Sequence, residues 1–461
     1  MSEQSSPTVH DDKCYRPHEK DNITTWLSYL ENLHSKSIDM GLVRVKKVGD
    51  KLSLLKPAPI VITVGGTNGK GTTCRTLELI LLEAGFKVGV YSSPHLIKYN
   101  ERVRIQGKEL PDHEHTASFS WIENARGETS LTYFEFGTLS ALHLFKQASL
   151  DVVILEVGLG GRLDSCNIVD ADISVITSID IDHVDWLGDN REVIAKEKAG
   201  IFRTNRPAVI GEPNIPQSMI NFANEINAPL YELGQVWHFK QSLDSWNWHG
   251  TDLQLLNLPY PQIPVQNAAT ALATLYAGGF LNRADDRRIS EKQIKDALTK
   301  VSLSGRFQII QTQEIRIDDK EKTIAKIILD VAHNPHAAKY LSEQVNKLKL
   351  TLPNSIKFHF IIGMLSDKDI ASTLNALIPS ADSFHFISLN VSRGASAELL
   401  SDTLNNLQAS YKQSGHFVAP VTSHNSIKEA YDYLENKVEK NDIIIVCGSF
   451  YTVAEFLTSS F

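Results

Sequence analysis

Short runs of β-branched and aliphatic residues recur along the chain, and apolar positions spaced three or four apart fill the segments between them. PIVITVGG (59–66), KVGVYSS (87–93), DVVILEVG (151–158), ADISVITSI (171–179) and RPAVIG (206–211) have the length of strands and are nearly all apolar, as strands covered on both faces are. Between the first two, TTCRTLELILLEAG (72–85) reads as a helix with Cys74, Leu77, Leu81 and Ala84 on one face and Gly85 as its C-terminal cap. Such alternation predicts parallel sheet in an α/β fold. It weakens over about 230–262, where SLDSWNWHGTDLQLL and LPYPQIP predict a small β excursion closed by a proline-rich turn, before a helix at 266–279, a charged turn-rich stretch at 280–290 and another helix at 291–301. It restarts with KTIAKIILDVAHN (322–334), IKFHFIIGML (356–365), DSFHFISL (382–389) and NDIIIVCGS (441–449), separated by helical segments. The expected layout is a loose polar tail over 1–20, a first domain over 21–285, a linker over 286–303, and a smaller, doubly wound second domain over 304–461.

Composition narrows the class of function. The 461 residues are 42% apolar and 22% charged, as in ordinary globular proteins, and the net charge of −8 argues against a general nucleic-acid binder. Cys14, Cys74, Cys166 and Cys447 form no CxxC pair and no zinc-spaced cluster. The first residues carry no basic-then-apolar signal pattern, and no apolar run approaches the ~20 residues of a membrane span. A monomer in the cytoplasm, working on small molecules without membrane or nucleic-acid partners, is the expectation.

The strongest local signal is ITVGGTNGKGTTCRTLE (62–78), a strand, a glycine-rich loop and a helix start. Inward-turned N–H groups and the helix N-terminus suit phosphate; Lys70 would add a full charge, and Thr72 a hydroxyl where Mg²⁺ would sit. Gly71 stands between Lys70 and Thr72, so the common GxxxxGK[ST] spacing is not met letter for letter. EVGLGGRLD (156–164) has Leu163 where a dinucleotide fingerprint needs its third glycine, so a nicotinamide enzyme is not supported. Ser93, Glu156 and His183 each follow or end an apolar strand, where open parallel sheets bind ligands. A carboxylate inside an apolar run is costly unless it is paired, with Arg162 as one candidate partner, or bound to metal. Beside a phosphate loop, these three side chains point to Mg²⁺ held by hydroxyl, carboxylate and imidazole. Lys198 lies in a helical stretch with Lys196 and Glu197, where a solvated or ion-paired role is the alternative.

GTNGKGTT (66–73), YSSPHL (91–96), EVGLGGRLD (156–164), TSIDIDHVDWLG (177–188), EKAGIF (197–202), GRF (305–307) and LDVAHNP (329–335) occur in this order. Together they resemble the dihydrofolate synthase/folylpolyglutamate synthases of the Mur ligase superfamily over roughly 22–456. LENLHSKSIDMGLVRV (30–45) and SLTYFEFGTLSAL (130–142) are similar to the bacterial bifunctional type. The resemblance implies a P-loop-type ATPase domain and a Rossmann-like C-terminal domain, with ATP in the cleft between them. It implies an ATP-dependent ligase joining L-glutamate to dihydropteroate and to reduced folates through an acyl phosphate. The residues would then divide as follows. Asn68, Gly69, Lys70, Gly71 and Thr72 contact phosphates; Asn267, Arg306, Asp330 and His333 contact the nucleotide; Ser93, Glu156 and His183 hold Mg²⁺. Lys198 matches a carbamylated lysine beside a second ion, and Lys70, His183 and Lys198 form the catalytic set. Ser37, Ile38, Asp39, Met40, Thr132, Leu163, Asp164 and Ser165 match pterin-substrate contacts. Ser304 stands where the family commonly has proline before GRF. A folylpolyglutamate synthase alone, another Mur-type amino-acid ligase, and a nucleotide-dependent switch are the competing readings.

Overall fold

The computed structural model describes residues 16–282, 287–310, 326–413, 417–439 and 441–459. Strands β1 (Ile60–Gly65), β2 (Val88–Tyr91), β3 (Val103–Ile105), β4 (Lys108–Glu109), β5 (Val152–Glu156), β6 (Ile173–Ile176), β7 (Ala208–Ile210) and β8 (Leu230–Glu232) form one sheet in the order β4-β3-β2-β5-β1-β6-β7-β8. Only the β2–β3 and β3–β4 pairs are antiparallel. The buried strands need cover on both faces, and two apolar clusters supply it. On one face, Leu77, Ile80 and Leu81 of the helix Lys70–Glu83 pack with Leu272 and Leu275 of the helix Val265–Ala277. On the other, Trp26, Val45, Phe119 and Leu139 come from four helices that lie before and between β1 and β5. Gly85 ends the helix Lys70–Glu83 as its sequence position suggested, with Phe86 N donating to Leu81 O (3.0 Å).

The small β excursion is a three-stranded antiparallel sheet of β9 (His238–Gln241), β10 (Trp246–His249) and β11 (Gln254–Leu258). Trp248 fastens it to the helix Val265–Ala277 by donating from Nε1 to Ala269 O (3.1 Å). Strands β12 (Gln308–Ile310), β13 (Lys326–Asp330), β14 (Phe358–Ile362), β15 (Ser383–Ile387), β16 (Val421–His424) and β17 (Ile443–Cys447) form the second sheet, in the order β12-β13-β17-β14-β15-β16. Only β12 is antiparallel to its neighbour. This is the two-body α/β architecture expected. No helix among the described residues is long and apolar enough to cross a membrane.

Two expected boundaries move. Of the tail at 1–20, residues 1–15 lie outside the described residues. Residues 16–20 are tied down: Pro17 is buried, Trp26 Nε1 donates to His18 O (3.0 Å), and Arg16 pairs with Glu123 (3.3 Å). Of the linker at 286–303, residue 286 lies outside the described residues and most of the rest is not a linker. Ser290 caps a helix, Glu291–Leu298, and Ile289, Ile294, Ala297, Leu298 and Val301 are buried in the core of the first body. The charged face of that helix hides an apolar stripe that packs chiefly against the helix Lys70–Glu83. The crossing between the bodies narrows to residues 302–306 and is clamped at once. Val331 N donates to Gly305 O (2.9 Å), and the Asp330 carboxylate accepts from Phe307 N (2.8 Å) and Ala332 N (2.9 Å).

Polar side chains make a continuous ladder across β14, β15 and β16. His359 Nε2 meets Asp442 Oδ2 (3.3 Å), His359 Nδ1 meets Ser383 Oγ (2.7 Å), and Ser383 Oγ meets His385 Nε2 (2.7 Å). The ladder continues from His385 Nδ1 to Thr422 Oγ1 (2.7 Å) and on to His424 Nε2 (2.8 Å). Every donor finds an acceptor when all three imidazoles are neutral with the proton on Nε2. Burial, with His359, His424 and Lys437 nearby, pulls His385 down to about 3. The unfolded chain takes up this proton near pH 6.5 and the native state refuses it. Stability is therefore intact above pH 6.5 and falls on acidification, by about 3 kcal/mol at pH 4 from this residue. The thermal midpoint of His385→Gln should fall less steeply between pH 6.5 and 4 than that of wild type; parallel curves would remove the ladder from the acid response.

Candidate active site

The C-terminal ends of the two sets of parallel strands face each other across a cleft of about 1500 Å³. Its first wall is the loop between β1 and the helix Lys70–Glu83. Gly66 (φ 142°) and Gly69 (φ 85°) hold the turn in conformations that suit glycine. A methyl on Gly66 would lie 2.0 Å from Thr177 Oγ1, and one on Gly69 would lie 2.6 Å from Asn267 Oδ1, so the loop is pressed against its neighbours. Lys70 Nζ rests on the carbonyls of Gly66 (3.0 Å) and Thr67 (3.1 Å). Asn267 Nδ2 donates to Thr72 Oγ1 (2.8 Å), which itself donates to Gly69 O (3.0 Å).

Glu156 ends β5 in register with Val64 and is 5% exposed. Among the described residues its side chain accepts one hydrogen bond, from Ser93 N (3.2 Å), and has no ion-pair partner. Arg162 pairs instead with Glu197 (2.8 Å), which dismisses the Arg162–Glu156 pairing considered from sequence. Burial raises the Glu156 carboxyl, against the pull of Lys70, the Ser93 N–H, Arg306 and Arg104. His183 is exposed at the rim; desolvation in the cleft lowers it, Lys368, Lys70 and Lys198 add to that, and Asp182 opposes. Lys198 is 3% exposed, and burial together with Lys70 brings its ammonium down to about 7 despite Asp182.

The opposite wall belongs to the second body. Arg306 lies over the Phe450 ring (5.1 Å), and burial lowers its guanidinium although Asp330 and Glu156 favour the charge. Burial raises Asp330, whose oxygens hold the crossing between the bodies as well as facing the cleft. His333 Nδ1 is buried with no hydrogen-bond partner among the described residues, and burial, Lys368, Arg306 and Lys70 bring the ring down to about 3 against Asp182. Asn334 caps the helix Pro335–Lys349, with Pro335 at its first position, and also reaches across the cleft. Its Nδ2 donates to Asn68 Oδ1 (3.0 Å), and Asn68 Nδ2 donates to Asn334 Oδ1 (3.3 Å).

No three His, Cys, Asp or Glu side chains among the described residues form a ready metal cage. Mg²⁺ takes one or two carboxylates and completes its shell with substrate phosphates and water. A buried carboxylate without a cationic partner, beside a phosphate-type loop, fits such an ion.

Comparisons place this site in a family. The chain matches the Mur ligase middle domain over residues 64–235 and the Mur ligase glutamate ligase domain over 305–450. It is 51% identical over 448 residues to the dihydrofolate synthase/folylpolyglutamate synthase of Haemophilus influenzae, covering 94% of this chain and 96% of the relative. The chain belongs to the dihydrofolate synthase/folylpolyglutamate synthase family of Mur ligases. Among solved structures, Escherichia coli FolC in complex with DHPP and ADP has a TM-score of 0.86 at 50% identity, covering 96% of this chain and 98% of that one. A bifunctional folylpolyglutamate synthase/dihydrofolate synthase with Mn, AMPPNP and L-glutamate bound has a TM-score of 0.83 at 49% identity, covering 96% and 98%.

For this dihydrofolate synthase/folylpolyglutamate synthase family member, the cleft brings together most positions singled out in the sequence. Asn68 to Thr72, Ser93, Glu156, His183, Asn267, Arg306, Asp330 and His333 all line it. Lys198 does not; it is buried behind the wall, where a methyl on Gly161 would lie 3.1 Å from its Cα. The positions matched to pterin contacts are not on the cleft wall either. Asp39 is held by Arg44 (2.6 Å), which also reaches Glu135 (3.1 Å). Thr132 caps the helix Tyr133–Gln147 in a capping box with Glu135. Asp164 accepts from Gly158 N (3.0 Å), Leu159 N (2.9 Å) and Cys166 N (2.9 Å), and Ser165 Oγ meets Thr138 Oγ1 (2.9 Å). The Asp164 carboxylate supports the GLGG loop of residues 158–161. Ser37 and Ile38 are exposed, Leu163 is half-buried, and Met40 reaches that loop: its Cε would lie 3.8 Å from a methyl on Gly160.

Sequence reasoning missed Asp182 and Lys368. Asp182 precedes His183 after β6, and Lys368 follows β14, so the strand-end rule that found Glu156 applies to both. In the sequence each is one charge among several and passes as solvated.

Proposed function

We propose that the chain is an ATP-dependent amide ligase that adds L-glutamate to dihydropteroate, forming dihydrofolate, and to reduced folates, forming polyglutamates. One observation carries the reading: a phosphate-type loop with Lys70 and an unpaired buried Glu156 faces Arg306, Asp330 and His333 of the second body across a single cleft.

A carboxylate resists nucleophiles because of its charge, so phosphorylation by ATP is the activating step and the glutamate amine then displaces phosphate. Lys70, which rests on two loop carbonyls, would leave them to meet terminal phosphate oxygens, and Arg306 would bring a second cation from the far wall. Ser93, Glu156 and His183 would hold Mg²⁺, and a carbamate on Lys198 would hold a second ion. Bound there, Mg²⁺ supplies charge neutralisation between the reacting anions. Carbamate formation needs an uncharged amine, and a lysine near pKa 7 has one at neutral pH. Closing the cleft keeps water from the acyl phosphate.

The test is a mass-resolved product assay with ATP, Mg²⁺ and L-glutamate, offering dihydropteroate and a reduced folate separately. Addition of one glutamate to the first and of successive glutamates to the second is expected. ATP hydrolysis with neither product formed would refute the reading, and product from the folate alone would reduce it to the synthase that extends polyglutamates. Repeating the assay in CO₂-stripped buffer should slow both reactions, with recovery on adding bicarbonate; unchanged rates would exclude the carbamate.

A further inference from the structure

The two bodies are joined by a short crossing at 302–306, and Asp182 stands where they meet. It sits on the loop that carries His183, and His183 N donates to its Oδ1 (2.8 Å). Its remaining polar neighbours come from the second body. Lys368 Nζ lies 2.9 Å from Oδ1; Asn334 Nδ2 and His333 Nε2 lie 3.3 Å and 3.9 Å from Oδ2. The two side chains of the ion pair are 13% and 12% exposed, so it is largely withdrawn from solvent. The reciprocal Asn68–Asn334 amide pair lies alongside, with His336 Nδ1 3.1 Å from Asn68 Nδ2. The same few residues thus tie the phosphate loop, the His183 loop and the second body together.

We propose that Asp182 and Lys368 form a latch that sets the closed position of the two bodies, making both of them positioning residues for the ligase reaction. The proposal rests on the ligase reading for its kinetic arm, but not for its structural one. An interface of this polar kind leaves domains free to move unless something holds them. Removing one member of a largely buried ion pair strands the other charge, so the closed state loses more than a surface contact would cost it. The phosphate loop lies wholly within the first body. Arg306, Asp330 and His333 reach the cleft from the second body, so loss of the latch should weaken nucleotide binding somewhat and impair the chemical step, which needs both walls, far more.

Lys368→Met is compared with Lys368→Arg, Asp182→Asn and the double variant Asp182→Asn/Lys368→Met. Spin labels at Asn221→Cys and Asn405→Cys, both exposed, report the distance between the bodies in the presence of Mg²⁺ and AMPPNP. A Cys14→Ser background is used, because Cys74, Cys166 and Cys447 are buried. Expected for Lys368→Met are a longer or broader distance distribution, a KM for glutamate raised about tenfold, a kcat lowered 10- to 100-fold, and a nucleotide Kd raised less than tenfold. Lys368→Arg should keep the wild-type distance and most of kcat, and the double variant should be little worse than either single one. A wild-type distance distribution for Lys368→Met overturns the latch even if kcat falls, since that result makes Lys368 a substrate contact. Additive effects in the double variant overturn it as well. If the wild-type protein forms no glutamyl product, the ligase reading fails, and the distance measurement still decides the latch.

Discussion

Lys70→Ala lowers turnover at saturating ATP by about a thousandfold or more and leaves the thermal midpoint nearly unchanged. Among the described residues Lys70 is bonded only to the carbonyls of its own loop, so its removal strands no buried partner there. Its charge matters when phosphate and an organic carboxylate approach. Two unit charges ~4 Å apart repel by about 4 kcal/mol at an effective dielectric of ~20, which is roughly a thousandfold in rate. The same substitution has a second, independent signature. Lys70 is one of the causes that hold Lys198 near 7, so without it the Lys198 amine should titrate higher. Wild-type turnover in Lys70→Ala would remove the loop from the phosphoryl-transfer site.

Glu156→Gln should be nearly inactive, yet as stable as wild type or more so. The amide keeps the shape of the carboxylate and can still accept from Ser93 N. Burial raises the Glu156 carboxyl, and a group raised in the native state costs stability where the unfolded chain is ionised and stops doing so as pH falls. Relief of that cost raises stability near neutral pH. The variant should melt higher than wild type at pH 8, with the gap closing towards pH 5. The thermal shift that Mg²⁺ and nucleotide give the wild type should disappear. A variant that melts lower and keeps the ligand-induced shift would make Glu156 a structural residue.

The parts of the site legible in the sequence are those whose chemistry is local. The phosphate loop declares itself because glycines, a lysine and a threonine follow a strand within a few positions. Glu156 declares itself because its neighbours are apolar. The latch does not: Asp182 and Lys368 lie 186 positions apart, and each is surrounded in sequence by other polar residues. The misread linker has a related cause. The helix at 291–301 is expected from the sequence, but its charged face places it in the crossing, and its apolar stripe acquires meaning only against the first body, on which it packs. Thr132 and Asp164 show the converse. A hydroxyl or carboxylate matched to a substrate contact can be occupied by the backbone beside it, as both are here.

By itself the sequence determined the alternation of strand and helix, the partition into two α/β bodies, and the identity of the phosphate loop, because periodicity and turn chemistry act over a few residues. The tertiary structure alone decided which charges meet across the cleft, which side chain stays unpaired, and how narrow the crossing between the bodies is. Those outcomes depend on desolvation and on distances between strand ends remote in the chain, and both exist only once the two sheets are closed on each other.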